Sequence, residues 1–193
     1  CVSLFLPMVP PPPVSTRCPY PTLFRSDRLT NTLSEVSAFD WAADIEQVLK
    51  LTEEAERGLS YLSVCGSEHA RKQVGSYFTP IDVASFFWNE FFTIHEIDTH
   101  QGAIEFISNH RFVEPSAGAG ALVFALFNKL TSLGVTPQEL AVVDIHIIDI
   151  NKQALSFIQS QFEYLSSRFG IKFSLASLIH GDVRDHRFSK TEK

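Results

Sequence analysis

Apolar residues recur at intervals of three and four between Asp27 and Arg71, which is the spacing of amphipathic helices. Asp40 is a suitable N-cap for a helix that runs from Trp41 to about Leu62. We expect the polar side of this helix to face solvent. It contains Glu53, Glu54, Glu56 and Arg57. The pattern therefore predicts a helical segment whose role is packing.

Further along the chain, β-branched runs alternate with helical segments. Strands are predicted at Arg111–Val113, Ala141–Ile150 and Ile171–Ile179. Helices are predicted between them at Ala121–Leu133 and Lys152–Phe169, and each is followed by a glycine. This alternation predicts an α/β domain with a doubly wound parallel sheet and right-handed crossovers.

A glycine turn lies between the first predicted strand and its helix. Without side chains, Gly118 and Gly120 let a ligand approach the backbone, and helix N–H groups there face its negative group. The dinucleotide fingerprint needs a third glycine where this chain has Val123, which counts against a nicotinamide or flavin enzyme. Glu114, just before the turn, suits a ligand with a positive group. A purely structural turn is the alternative.

Acidic residues follow the second and third predicted strands. Asp149 lies 29 residues after Gly120, where such folds bind ribose hydroxyls. Its alternative role is to cap the helix that begins at Lys152. Asp182 could accept a hydrogen bond from a purine amino group, and its alternative is an ordinary loop acid.

The segment Gly75–Asp82 contains a helix-start signature. Thr79 is predicted as the N-cap, Pro80 as the first helical residue, and Asp82 follows the cap by three positions. This signature does not require Gly75 or the two aromatic residues. Because helix N-termini bind carboxylates and aromatic faces attract cations, a ligand with a carboxylate, an ammonium and a sulfonium would use the whole segment.

Composition narrows the classes of function. With 16 basic and 22 acidic residues, the formal charge of −6 excludes a globally basic protein that coats phosphates. The apolar runs are shorter than the roughly 18–20 residues of a membrane span. The three cysteines, at positions 1, 18 and 65, have no metal-binding spacing, so we expect a reduced, cytoplasmic chain without a metal site.

The proline distribution sets the first 26 residues apart. Seven of the ten prolines precede residue 22, and we interpret residues 1–26 as a non-native or disordered tail. Residues 27–74 form the helical segment, and residues 75–193 form the domain that contains the motifs above.

The ordered motifs over Gly75–His186 resemble the amino-terminal part of the catalytic domain of adenine-specific (N6) DNA methyltransferases from restriction–modification systems. The motifs are G-x-Y/F-x-T-P, an apolar helix, D/E-P-x-x-G-x-G, an acid after the second strand and G-D after the third. Two positions depart from the family pattern: Leu122 replaces a usual Phe, and Asn151 replaces a frequent Pro. These departures leave the subfamily open.

The resemblance implies S-adenosyl-L-methionine as the cofactor. Its methionine end would be held by Gly75, Tyr77, Thr79 and Pro80. Its amino-acid part would be cradled by Glu114, Pro115, Gly118 and Gly120. The resemblance also assigns Asp149 to the ribose and Asp182 to the adenine ring of the cofactor.

The resemblance further implies a partial Rossmann-like sheet of the first three parallel strands. The first strand would pair with the second and with a fourth, so without the fourth it becomes an exposed edge. The family's catalytic motif, Asn/Asp-Pro-Pro-Tyr/Phe, does not occur in the chain. We therefore expect a truncated domain over residues 75–193, with no catalytic residues and little or no methyl transfer on its own.

Double-stranded DNA would be bound through the full-length protein, with a specificity or restriction subunit as a further candidate partner. The alternatives to a DNA methyltransferase are an RNA or protein methyltransferase, a nicotinamide dehydrogenase, and a non-catalytic Rossmann-like interaction module. A titration with S-adenosylhomocysteine would separate the interaction module from the methyltransferases.

Overall fold

A computed structural model of the chain describes residues 40–64, 78–173 and 175–185. The predictions for residues 1–26, Gly75 and Tyr77 lie outside these ranges. In chain order the elements are α1 (Trp41–Val64), α2 (Ile81–Ile94), α3 (His100–Asn109), β1 (Phe112–Glu114), α4 (Ala121–Ser132), α5 (Pro137–Leu140), β2 (Ile145–Asp149), α6 (Lys152–Phe169), β3 (Leu175–His180) and a short 3-10 helix (Val183–Asp185).

Local sequence signals explain where two of these helices begin and end. The Asp40 carboxylate accepts hydrogen bonds from the backbone N–H groups of Ala42 and Ala43, so the predicted cap of α1 is confirmed. The Asn151 side chain caps α6 by accepting from the N–H groups of its first turn. Gly170 closes α6 with φ at 61°, a left-handed conformation that favours glycine.

The three strands form a parallel sheet in the order β1-β2-β3. Glu114 is paired with Ile147, which is paired in turn with Leu178. The predicted α/β class with parallel strands is confirmed, and β1 pairs with β2 as expected. In the part of the chain that the structure describes, β1 lies at an edge of the sheet.

The core lies between the sheet and the helices, with α4 at its centre. α4 packs against both α1 and α2, and Phe124 and Phe127 contact Phe162 of α6. Ile145 and Ile147 of β2 belong to the same buried cluster. Because burying an aromatic or aliphatic side chain contributes roughly 1.5–3 kcal/mol, these contacts fix how the helices sit on the sheet.

A buried polar cluster fixes α1 against α6. Asp44 is fully buried and accepts a hydrogen bond from the Tyr164 hydroxyl at 2.6 Å and from Arg168 Nε at 3.3 Å. The Trp41 indole donates to the Thr131 hydroxyl of α4 at 3.0 Å. The amino-terminal helix therefore shares the core of the α/β part. Further along this helix, Glu56 lies near Gly118 in the turn that follows β1. No helix within the described ranges is both long and apolar enough to cross a membrane.

Candidate functional site

The turn after β1 is hydrogen-bonded to the end of β2. The Asp149 Oδ2 atom accepts from the Gly118 N–H at 2.7 Å, and the Ile148 carbonyl accepts from the Ala117 N–H at 3.1 Å. Asp149 Oδ1 accepts from the Asn151 N–H at 2.7 Å. The structure thus brings together the glycine turn and the acid that the sequence predicted to be neighbours. The alternative role of Asp149 as the cap of α6 is wrong, because Asn151 is that cap.

The two glycines of the turn have different surroundings. Gly118 has φ of +54°, and a Cβ atom there would lie 2.9 Å from the Phe78 ring. Gly120 has φ of +93°, and its Cβ would lie 2.9 Å from the Phe124 ring and 3.1 Å from Ile158. Both conformations disfavour side chains. Gly118 borders the pocket described next, whereas the missing side chain of Gly120 allows close packing of α4 with α6.

A pocket of about 250 Å³, including its open mouth, lies beside this turn. Residues from four parts of the chain line it: Glu56, Phe78, Thr79, Glu114, Ser116, Ala117, Gly118, Ala121 and Leu122. Two helices, α2 and α4, begin at its wall. The pocket thus combines carboxylates, hydroxyls and an aromatic ring with two helix N-termini, whose partial positive charge favours anionic groups.

Glu114 is the predicted carboxylate of this pocket. Its Oε1 atom accepts a hydrogen bond from the Ser116 N–H at 3.2 Å. Burial raises the pKa of Glu114, the Ser116 hydrogen bond opposes this, and the nearby Asp149 carboxylate raises it further. A cation placed in the pocket would relieve the repulsion between Glu114 and Asp149.

Glu56 is a pocket residue that the sequence analysis missed. We predicted it on the solvent face of the first helix, and this prediction is wrong, because Glu56 is only 6% exposed. Burial, aided by the neighbouring Glu53 carboxylate, raises the pKa of Glu56 to about 8. The helical spacing would have predicted its burial, because Val48, Thr52 and Glu56 recur at intervals of four and lie on the buried side of α1.

The start of α2 also differs from the prediction. The helix begins at Ile81, Pro80 occupies the N-cap with φ of −55° and ψ of 146°, and no side chain caps it. The Asp82 carboxylate instead accepts from the adjacent Val83 N–H at 2.9 Å. The predicted roles of Thr79 as N-cap and Pro80 as first helical residue are therefore wrong. Among the described residues the Thr79 hydroxyl caps no helix, and it lines the pocket.

Pro115 and Asp182 lie outside the pocket wall. Pro115 is exposed in the turn after β1. Asp182 follows β3 and accepts hydrogen bonds at 3.0 Å from Arg184 Nε. These bonds lower the pKa of Asp182 to about 2. The Gly181 N–H donates to the Asp149 carbonyl at 3.0 Å, so the loop that carries Asp182 is attached to the end of β2.

Within the described ranges, no group of His, Cys, Asp and Glu residues has the geometry to hold a metal ion. Comparison of the chain with protein-family models, with curated proteins and with solved structures found no match.

Proposed function

We propose that this chain carries the S-adenosylmethionine-binding part of an adenine-specific (N6) DNA methyltransferase, on a Rossmann-like sheet of which β1, β2 and β3 are the first strands. One observation carries the proposal. The Gly118–Asp149 hydrogen bond closes a turn between the ends of β1 and β2, beside a pocket that contains Glu56 and Glu114. Ligands of open α/β sheets bind at the carboxyl ends of the strands, where this turn lies.

The pocket suits the amino-acid end of the cofactor. The ammonium group would face the Glu114 carboxylate, and the carboxylate group would face the N-termini of α2 and α4. The nucleoside would lie outside the pocket, along the ends of β2 and β3.

The two acids at those strand ends would contact the nucleoside. Asp149 uses one lone pair of each oxygen on backbone N–H groups, and a carboxylate has about four acceptor sites, so it retains capacity for ribose hydroxyls. Asp182 would accept from the adenine amino group. The bound cofactor supplies a methyl group on a sulfonium, and the residues of this chain would bind and orient that donor.

Recognition of DNA and of the target adenine is assigned to the full-length protein. The Asn/Asp-Pro-Pro-Tyr/Phe tetrapeptide is absent from the 193 residues, and the chain has no excess of basic residues. Double-stranded DNA, with a specificity or restriction subunit, is the proposed set of partners. We propose adenine in DNA as the substrate because the T-P motif upstream of the glycine turn favours this class over RNA or protein methyltransferases.

Calorimetric titration with S-adenosylhomocysteine tests the proposal. We expect saturable heat from the 193-residue chain and an affinity loss of about tenfold for Glu114→Gln, since a charge-assisted hydrogen bond contributes roughly 1.5–3 kcal/mol. Glu90→Gln, an exposed change on α2, is the matched control and should have no effect. The absence of saturable heat would contradict the proposal. Labelled methyl transfer to DNA by this chain should stay at background.

A second candidate function, an interaction module, is favoured by one surface. Apolar side chains on α2 are unusually exposed: Val83 by 51%, Phe86 by 64%, Phe87 by 49% and Ile94 by 73%. Contiguous exposed apolar residues are typical of protein-binding surfaces. The titration separates the two functions, because an interaction module should give no heat with S-adenosylhomocysteine and should be insensitive to Glu114→Gln.

A further inference from the structure

Glu56 lines the pocket and is only 6% exposed. Among the residues that the structure describes, none forms a hydrogen bond or an ion pair with its carboxylate. The carboxylate reaches the pocket wall, and one of its oxygens lies 4.0 Å from the position that a Cβ atom on Gly118 would occupy. Burying an ionised carboxylate in this way is costly unless a cation or donor joins it.

Glu114 lines the same pocket. As far as the structure describes the chain, the lining residues include these two carboxylates and no lysine or arginine. A ligand with a positive group would supply the charge that balances Glu56 and Glu114. The helix N-termini at the same wall favour a carboxylate, so the pocket matches a zwitterion with an ammonium group and a carboxylate group.

We propose that Glu56 is a ligand-binding residue of this site, and that it accepts the ammonium group of the donor's amino-acid end together with Glu114. This inference rests on the proposed function and extends it to α1, which the motif order does not include. The amino-terminal helix thereby becomes part of the cofactor site in addition to packing on α4 and α6.

The test compares two ligands that share a nucleoside. S-adenosylhomocysteine carries the amino-acid end, whereas 5′-methylthioadenosine lacks it. At pH 8 we expect Glu56→Gln to weaken S-adenosylhomocysteine about tenfold, the effect of losing one charge-assisted hydrogen bond. The affinity for 5′-methylthioadenosine should stay within about twofold, because that ligand has no ammonium group to lose.

Glu54→Gln is the matched control, because Glu54 is exposed on the same helix, two residues away. It should alter neither affinity. Unchanged binding of S-adenosylhomocysteine by Glu56→Gln would overturn the inference while leaving the proposed function intact. An equal loss for both ligands would also overturn it, since it would show a structural effect. If the unaltered chain does not bind S-adenosylhomocysteine at all, the proposed function itself fails.

A second measurement needs no variant. If the ligand ammonium joins an ionised Glu56, binding near pH 7 must release a proton, and calorimetry in buffers of different ionisation enthalpy counts it. Among the described residues, the ionisable groups near Glu56 are Glu53 on α1 and Glu114, which lines the same pocket, and Asp149 lies near Glu114. On the packed helices, Lys129 lies over the Phe92 ring, and Arg168 pairs with Asp44, about three helical turns away.

We expect S-adenosylhomocysteine to release about one proton near pH 7 and markedly less near pH 9, where Glu56 is already ionised. 5′-Methylthioadenosine should release none. Equal proton release by both ligands would contradict the inference even if Glu56→Gln does not fold.

Discussion

Acidic residues occur in two regions of this molecule, and their surroundings are opposite. The inner site consists of Glu56, Glu114 and Asp149, which surround the glycine turn. The outer loop, 181–185, carries Asp182 beside Arg184. Burial raises the pKa of Glu56 and Glu114 in the inner site, and the hydrogen bonds from Arg184 lower the pKa of Asp182 in the outer loop.

The difference shows why an acid at a strand end is not by itself a ligand site. Asp182 already has a cation and is open to solvent, so a further cation would gain little there. The inner carboxylates have no side-chain cation among the described residues, and Glu56 and Asp149 are buried, so a ligand's positive charge would be bound strongly. We therefore propose that the charged end of the ligand binds at the inner site and the uncharged base at the outer loop.

Removal of the Asp149 carboxylate from the inner site should have the largest effect, and this effect is on folding stability. Asp149→Ala leaves the N–H groups of Gly118 and Asn151 without their acceptor. A fully buried unpaired group costs about 1–3 kcal/mol, and these two N–H groups are only partly buried, so we expect the free energy of unfolding to fall by roughly 2–4 kcal/mol. Urea unfolding monitored by circular dichroism measures this loss.

Asp182→Ala is the matched control for that experiment. Its pair with Arg184 lies at the surface, so its urea midpoint should match that of the unaltered chain. Asp149→Asn keeps one acceptor oxygen and should fall between the other two variants. Equal stability for Asp149→Ala and Asp182→Ala would show that the inner acid does not hold the turn.

A smaller effect is expected from the pH dependence that Glu56 imposes. Its pKa is 4.5 in the unfolded chain and about 8 in the folded one, so the folded state binds more protons between these values. The stabilisation is fully present below pH 4.5 and is lost as the pH rises through 8. Between pH 6 and 8 we expect the free energy of unfolding contributed by Glu56 to fall by about 2 kcal/mol.

Urea unfolding at a series of pH values measures this slope. Glu56→Gln should have a flatter profile than the unaltered chain and should be the more stable protein at pH 9. Glu114 contributes a slope of the same sign, so the difference between the two profiles isolates Glu56. Glu54→Gln should reproduce the profile of the unaltered chain, and an identical profile for Glu56→Gln would contradict the burial argument.

The sequence predicted those elements whose structure depends on local residues alone. The periodicity of α4 and α6 and the glycines that follow them placed both helices correctly within a few residues. The start of β2 was not predictable in this way. Ala141–Val143 looks like a strand, yet α5 and its turn precede β2, and Val142 is 68% exposed. The strand begins where β1 can pair with it, at Ile145, and that depends on tertiary contacts.

The same distinction between local and tertiary determinants applies to the candidate site. Gly118, Glu114 and Asp149 were predicted to be neighbours because strand ends and turns have fixed positions in an α/β fold. Glu56 was predicted to face solvent because it is polar, although its spacing from Val48 and Thr52 places it on the buried side of α1. Its burial depends on how α1 packs beside the turn, about 60 residues further along the chain.

The smallest effect concerns the outer loop and decides whether it contacts the ligand. If Asp182 accepts from the adenine amino group, Asp182→Asn should weaken S-adenosylhomocysteine and 5′-methylthioadenosine alike, by about two- to threefold, because the exposed pair with Arg184 already occupies much of the carboxylate. Glu56→Gln should weaken only the first ligand. Calorimetry with both ligands and both variants thus assigns the inner site to the amino-acid end and the outer loop to the nucleoside. Unchanged affinities for Asp182→Asn would make Asp182 an ordinary loop acid and restrict the ligand to the ends of β1 and β2.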